Sequence, residues 1–176
     1  MDWVLLLEGL YFFLPAGIAN IAPVLSKKIP FLNSPIDRGM QYQGKRIFGK
    51  NKTWRGLVAA TLMGLFIASI QRLIGIDLSF FSYESYNFLL IGFLMGFGAI
   101  LGDLIKSFFK RRVDKKSGES WVPWDQLDYI FGGIVFISFY VWIGWSIILI
   151  IFFEYFLLHL LFGLIGYYLK LKNVKI

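Results

Sequence analysis

Cysteine is missing altogether from this chain of 176 residues, which excludes disulfides, thiolate zinc sites and palmitoylation together. Histidine occurs once, as His159, in the middle of an apolar run beside leucines. A His-based phosphatase or a Ser-His-Asp triad therefore has no base elsewhere to draw on, and His159 reads as structural. Charge is scarce too: 16% of residues are charged and 57% hydrophobic, against about 25% charged in an average soluble domain. A mean hydropathy of +0.66 means that much of the surface faces something other than water. No internal repeat or low-complexity segment is visible. The opening Met-Asp-Trp lacks the basic n-region of a secretory signal, so the first apolar run is expected to remain in the mature protein.

A spanning helix needs about 20 mostly apolar residues, and five stretches qualify: about 3–25, 56–76, 88–109, 128–145 and 147–169. The expected fold is all-α: a single polytopic membrane unit of five transmembrane helices with functional loops at 26–55 and 110–127. Pro15, Asn20 and Pro23 predict that the first span bends or breaks near its C-terminal end. The fourth and fifth spans are joined by almost nothing, around Gly144 to Ser146, which predicts a tight helical hairpin. Gly92, Gly96, Gly98 and Gly102 recur in the third span and read as close helix packing.

The net charge of +7 would suit nucleic acid or an anionic surface. The basic residues lie between apolar runs, however, so they belong to a membrane face and no nucleic-acid partner is expected. Every lysine and arginine except Arg72 falls in the 26–55 loop, in 106–116 or in the tail lysines Lys170, Lys172 and Lys175. The positive-inside rule then puts those segments and the C-terminus in the cytoplasm and the N-terminus outside.

Three clusters on that side can carry chemistry. Gly49-Lys50-Asn51-Lys52-Thr53-Trp54-Arg55-Gly56 directly precedes the second span, and a helix start with free N–H groups and added cations suits a polyphosphate. A solvated juxtamembrane loop has the same composition, and the stretch is not a Walker A sequence. Asp103, Lys106, Ser107 and Lys110 share one helical face at the end of the third span, with Arg111 beside them. Asp103 sits among leucines, where a carboxylate costs roughly 3 kcal/mol and calls for a partner. That partner can be a functional cation or simply Lys106. Asp125 and Asp128 enter the fourth span three residues apart, either as helix-start acids favoured by the dipole or, with Asp103, as an all-oxygen ligand set suited to Mg²⁺.

At these residues the chain resembles a known family. The stretches GKNKTWRG (49–56) and GDLIKSFFKRRVDKKSGESWVPWDQLD (102–128) are similar to archaeal CDP-archaeol synthases, relatives of the phosphatidate cytidylyltransferases. Ser107, Lys110, Arg111 and Lys116 fall on the S-x-x-K-R-x4-K part of the wider signature, and Asp125 and Asp128 on its D-x-x-D part. ANIAPVL (19–25) and PIDRG (35–39) match the archaeal branch, so the resemblance runs from about 15 to 133. The wider signature has His-Gly-Gly before the paired acids, where this chain has Trp121-Val122-Pro123-Trp124. Its Lys-Asp step is here Lys116-Ser117, and Lys106 stands where an acid is frequent. These departures also favour the archaeal branch.

The resemblance implies a reaction of CTP with 2,3-bis-(O-geranylgeranyl)-glycerol 1-phosphate in the bilayer, giving CDP-archaeol and pyrophosphate, with Mg²⁺ as cofactor. Asp103, Asp125 and Asp128 would hold the metal, and Lys110 would act with them. Lys52, Thr53, Arg55, Gly56, Ser107, Arg111 and Lys116 would contact substrate. Asn20 and Asp37 would support or line the site. Pro15 and Pro23, with small Ala16, Gly17, Ala19 and Ala22 between them, are expected to open a lateral groove. The same chemistry on ester-linked phosphatidate, or a non-enzymatic anion- or lipid-binding protein, are the alternatives.

Overall fold

The computed structural model describes residues 3–116 and 118–168. The tail lysines and residue 117 lie outside the described residues. Helix α1 (Trp3–Ala19) is followed by a two-residue break, a short α2 (Ala22–Leu25) and a 3-10 turn (Ser26–Lys28). The break expected from Pro15, Asn20 and Pro23 is therefore present. Pro15 offers no N–H, so the carbonyl of Tyr11 loses its helical partner. The buried side chain of Gln71 donates to that carbonyl from the next helix, and Tyr155 Oη donates to the carbonyl of Leu10 at 2.7 Å.

The loop after α2 is not wholly irregular. It carries a minimal antiparallel hairpin, β1 (Gln41–Tyr42) and β2 (Lys45–Arg46), a small exception to the all-α expectation. Helix α3 (Trp54–Ile74) begins at Thr53, whose Oγ1 accepts from the N–H of Gly56 at 3.2 Å, and it ends at Gly75 in the left-handed region with φ 68°. Helix α4 (Phe88–Arg112) is capped by Asn87, which accepts from the N–H groups of Leu89 and Leu90. Its 25 residues span about 37 Å, more than a hydrocarbon core of about 30 Å, so the basic last turn has room to emerge.

Helix α5 (Trp124–Ser138) starts four residues earlier than expected and stops seven earlier. At 15 residues it is about 22 Å long, and it is not among the four helices long and apolar enough to cross a membrane unaided. Beyond it the chain continues without helix to α6 (Trp145–Tyr168). Tyr140 on that extension accepts from the N–H of Asn87 at 3.1 Å, so α5 and the residues after it run the length of α4 in the opposite direction.

Small residues let these helices touch. A Cβ added at Gly64 would lie 2.4 Å from the carbonyl of Gly92 across the α3/α4 seam. One added at Gly102 would lie 2.0 Å from the carbonyl of Asp128 across the α4/α5 seam. The glycine series of the third span is thus a packing device, as its spacing predicted. The core lies on the side of α1 and α6, where Phe12, Phe13, Met95, Ile130 and Ile151 are fully buried. Pro15, Ala16 and Ala19 are buried against neighbouring helices and Gly17 abuts Tyr155, whereas Ala22 lines an apolar groove between α2 and α3, so the expected groove opens only at the end of the stretch between the prolines.

Candidate active site

The α4/α5 contact at Gly102 fixes the site, because it sets the end of α4 against the first two turns of α5. Asp103 and Lys106 project from α4, and Asp125 and Asp128 from α5. Lys106 Nζ lies 3.2 Å from Asp103 Oδ1, 2.7 Å from Asp125 Oδ1 and 2.8 Å from Asp128 Oδ2. Lys110 Nζ is 3.0 Å from Asp125 Oδ2, and Lys52 reaches across from the loop before α3 to pair with Asp103 Oδ2. Three carboxylates and three ammonium groups thus close into one network. Asp128 is 3% exposed in its side chain and Lys110 8%, so the network is set within the helices. A buried charge of this kind persists only when paired and hydrogen-bonded. Asp125 Oδ2 also accepts from the N–H of Trp121 at 2.7 Å, and Asp128 Oδ1 from the N–H of Tyr129 at 2.6 Å, so both acids are held in place.

The loop that delivers Lys52 has its own brace. Asp37 is 1% exposed and accepts from Arg46 and from the N–H groups of Gly39, Phe48 and Gly49, the last at 2.9 Å. Burial pushes this carboxyl up, but the Arg46 hydrogen bond and the three backbone donors outweigh it and hold it at about 2. Arg112 ties the same hairpin to α4. It donates to the carbonyls of Lys45 and Arg46 at 3.1 and 2.8 Å, and its guanidinium lies 4.4 Å from the Phe108 ring centroid.

The other residues singled out in the sequence are spread around this centre. Thr53 caps α3, and Gly56 packs on Pro23. Ser107 is buried on α4. Arg55 points away from the carboxylates and donates to the carbonyl of Ile29, and Arg111 donates to the carbonyl of Lys116 at 3.3 Å. Asn20 sits in the break after α1, its N–H bonded to the carbonyl of Ala16. Asp37 supports the loop and does not line the cluster. Lys106 is the residue the sequence reading undervalued: spacing put it on the right face, yet it is the hub of the network. Arg46 and Arg112 had no signal beyond their charge.

Two apolar grooves stand out among the described residues. One, of about 550 Å³, runs between α4 and α5 past Ile105, Phe109, Trp121, Trp124, Phe131 and Phe136, and Lys106 and Asp128 line it as well. The other, of about 470 Å³, lies between α2 and α3 and includes Leu25, Phe31, Leu62, Phe66 and Arg55. A charged centre touching an apolar groove between two helices suits a molecule with a polar head and a long apolar body.

The CarS-like family, described as CDP-archaeol synthase, matches residues 3–176. The chain belongs to this family. A CDP-archaeol synthase from Staphylothermus marinus is 40% identical over 94% of the chain and 90% of its own length. One from Methanocaldococcus jannaschii is 32% identical over 99% of both. A solved structure described as an intramembrane enzyme for archaeal membrane lipids biosynthesis superposes with a TM-score of 0.72 at 28% identity, covering 89% of this chain and 92% of that one. With its long apolar helices, the protein is a multi-pass membrane protein.

The three acids offer hard carboxylate oxygens, the donor type that Mg²⁺ prefers, and all three lie within 3.2 Å of one point. Among the described residues no three such groups are already arranged as a metal shell. The point of convergence is the Lys106 ammonium.

Proposed function

We propose that this protein transfers a cytidylyl group from CTP to the phosphate of an isoprenoid ether lipid, 2,3-bis-(O-geranylgeranyl)-glycerol 1-phosphate, releasing pyrophosphate and forming CDP-archaeol. The observation that carries this reading is the juxtaposition of the lysine–aspartate network with the α4/α5 groove, in a chain of this family. The lipid chains lie in the groove while the head reaches the network. A lipid phosphate oxygen attacks the α-phosphorus of CTP, and the bond from that phosphorus to the pyrophosphate oxygen breaks. The nucleophile is already anionic, so no strong general base is needed, and catalysis consists of positioning and charge neutralisation.

Lys52, at the mouth of α3, and Lys110, on α4, bracket the network and serve as cations for the triphosphate. Arg111 and Lys116 extend that basic surface. Asp103, Asp125 and Asp128 would hold Mg²⁺, which would neutralise phosphate charge when bound. Asp37 and Arg112 act at one remove, by fixing the loop from which Lys52 projects.

The basic loops face the cytoplasm and the N-terminus lies outside, a reading supported by the confinement of lysine and arginine to one side. Single cysteines are simple to place in a cysteine-free chain: one at exposed Ser85 should label from outside, and one at exposed Ser34 only from inside. The function is tested with purified protein, labelled CTP, Mg²⁺ and a panel of ether- and ester-linked lipid phosphates. Release of pyrophosphate with the ether lipid is expected. Equal or better use of phosphatidate would move the assignment to the ester lipids, and no CTP-dependent release with any lipid would remove the enzyme reading.

A further inference from the structure

Lys106 differs from the other two lysines of the network. Lys52 pairs with Asp103 alone and Lys110 with Asp125 alone, whereas Lys106 contacts all three carboxylates. For Asp128, the most buried of the acids, Lys106 is the only ion-pair partner among the described residues. Each of the three carboxylates already has an ammonium partner, so nothing in the network calls for a further cation while Lys106 remains. The oxygens that would ligate a divalent ion are the same ones that hold the ammonium. Mg²⁺ needs carboxylate oxygens at about 2.0–2.1 Å, and the space they surround already contains Nζ.

We propose that Lys106 is the resident counter-ion of the carboxylate site: its ammonium holds the divalent cation's place in the substrate-free enzyme and must leave before the metal enters. This rests on the reading of Asp103, Asp125 and Asp128 as metal ligands. A flexible four-carbon stem suits the task, since the ammonium is a point charge that can swing without moving α4. Lys106 also lines the α4/α5 groove, which gives the stem somewhere to go. The device keeps three carboxylates together without metal, and it makes the metal alone a poor ligand.

The test is binding of Mn²⁺ alone, followed by the free-ion signal in electron paramagnetic resonance, to detergent-purified protein without CTP or lipid. Lys106→Gln should bind Mn²⁺ at least tenfold more tightly than the unmodified protein. Lys106→Arg, which keeps the charge, should not gain affinity. Lys110→Gln removes an equal charge from beside Asp125 and should gain less than threefold. Thermal melting supplies a second readout: metal-free Lys106→Gln should melt lower than the unmodified protein and be restored by Mn²⁺. If the Gln variant does not fold, Lys106→Met takes its place, filling the space of the stem. Equal Mn²⁺ affinity in Lys106→Gln and the unmodified protein would overturn the proposal while leaving the metal site standing. So would an equal gain in Lys110→Gln, because simple charge removal would then explain both. Absence of Mn²⁺ binding in every variant would overturn the metal reading and this proposal with it.

Discussion

The two seams of helix α4 are built by the same device and put to different use. Toward α3, Gly92 and Gly96 meet Gly64 and Ala60, and the contact joins backbone to backbone without a charged group. Toward α5, Gly98 and Gly102 meet Gly132 and the backbone of Asp128 just as closely, and one turn further on the contact becomes the lysine–aspartate network. Glycine at a seam therefore does not mark a site. What marks it is a close seam that ends in ionisable residues from both helices, because backbone proximity is what brings short Asp side chains within reach of one ammonium.

The largest effect should come from the acids on the second seam. Asp125→Asn and Asp128→Asn preserve size and remove an anionic oxygen, and each should lower turnover roughly a hundredfold or more. Asp103→Asn should behave likewise. Turnover against Mg²⁺ concentration, with melting measured in the same detergent, separates chemistry from stability. Near-normal turnover in both Asp125→Asn and Asp128→Asn would leave them as helix-start acids, worth roughly 0.3–1 kcal/mol each in stability.

Glycine substitutions set the seams against each other directly. Gly64→Ala and Gly102→Ala each place a Cβ on a backbone carbonyl, at 2.4 and 2.0 Å, so both helix pairs must part, at a cost of about 1–3 kcal/mol. At Gly102 the parting also moves Asp128, and a displacement of about 1 Å near a reacting centre can cost a hundredfold in rate. Gly102→Ala should thus lose most of its turnover. Gly64→Ala should lose stability and keep its rate per folded molecule within about twofold. Equal loss of turnover in both would mean that the whole bundle, and not one seam, sets the geometry.

How far the sequence carried this picture follows from the kind of signal each part leaves. Four long helices were legible because each is an apolar run long enough to span a bilayer, and the break in the first span because Pro15 and Pro23 leave few alternatives. Helix α5 was misjudged at both ends. Phe139 to Ile143 stay apolar after the helix has stopped, so hydropathy carries on where hydrogen bonding does not. The hairpin at 41–46 has strands of two residues, too short for alternation to register. Residue types at the site were readable from spacing. The hub position of Lys106 was not, because it depends on α5 arriving from a different part of the chain.

Lys52 joins the network from outside either seam, so its loss should be milder. Lys52→Ala removes a charge-assisted partner of Asp103 and of the proposed triphosphate, an interaction of about 1.5–3 kcal/mol. The KM for CTP should rise about tenfold or more while the protein stays folded. Lys52→Arg should rescue poorly where a compact ammonium is needed. Unchanged CTP saturation in Lys52→Ala would reduce the loop to a topology signal.

The smallest effect concerns the brace behind that loop, and its sign can be worked out. The Asp37 carboxyl titrates at about 2 in the folded protein against an ordinary value of 3.8. A depressed value means that the folded state favours the ionised form. The stabilisation is therefore complete above about pH 4 and is lost as pH falls through about 2, and it amounts to about 2 kcal/mol. Asp37→Asn keeps the shape but removes the charge that Arg46 and the N–H groups of Gly39, Phe48 and Gly49 address. Melting temperatures of the two proteins, compared from pH 6 downward, should differ by a few degrees above pH 4 and converge toward pH 2. The acids at the helix seam cannot mimic this pattern, because they are present in both proteins and cancel in the difference. A gap that held constant across the range would show that Asp37 braces the loop by shape and not by charge. The delivery of Lys52 would then be insensitive to acid, and the loop and the seam would be independent in their response to pH.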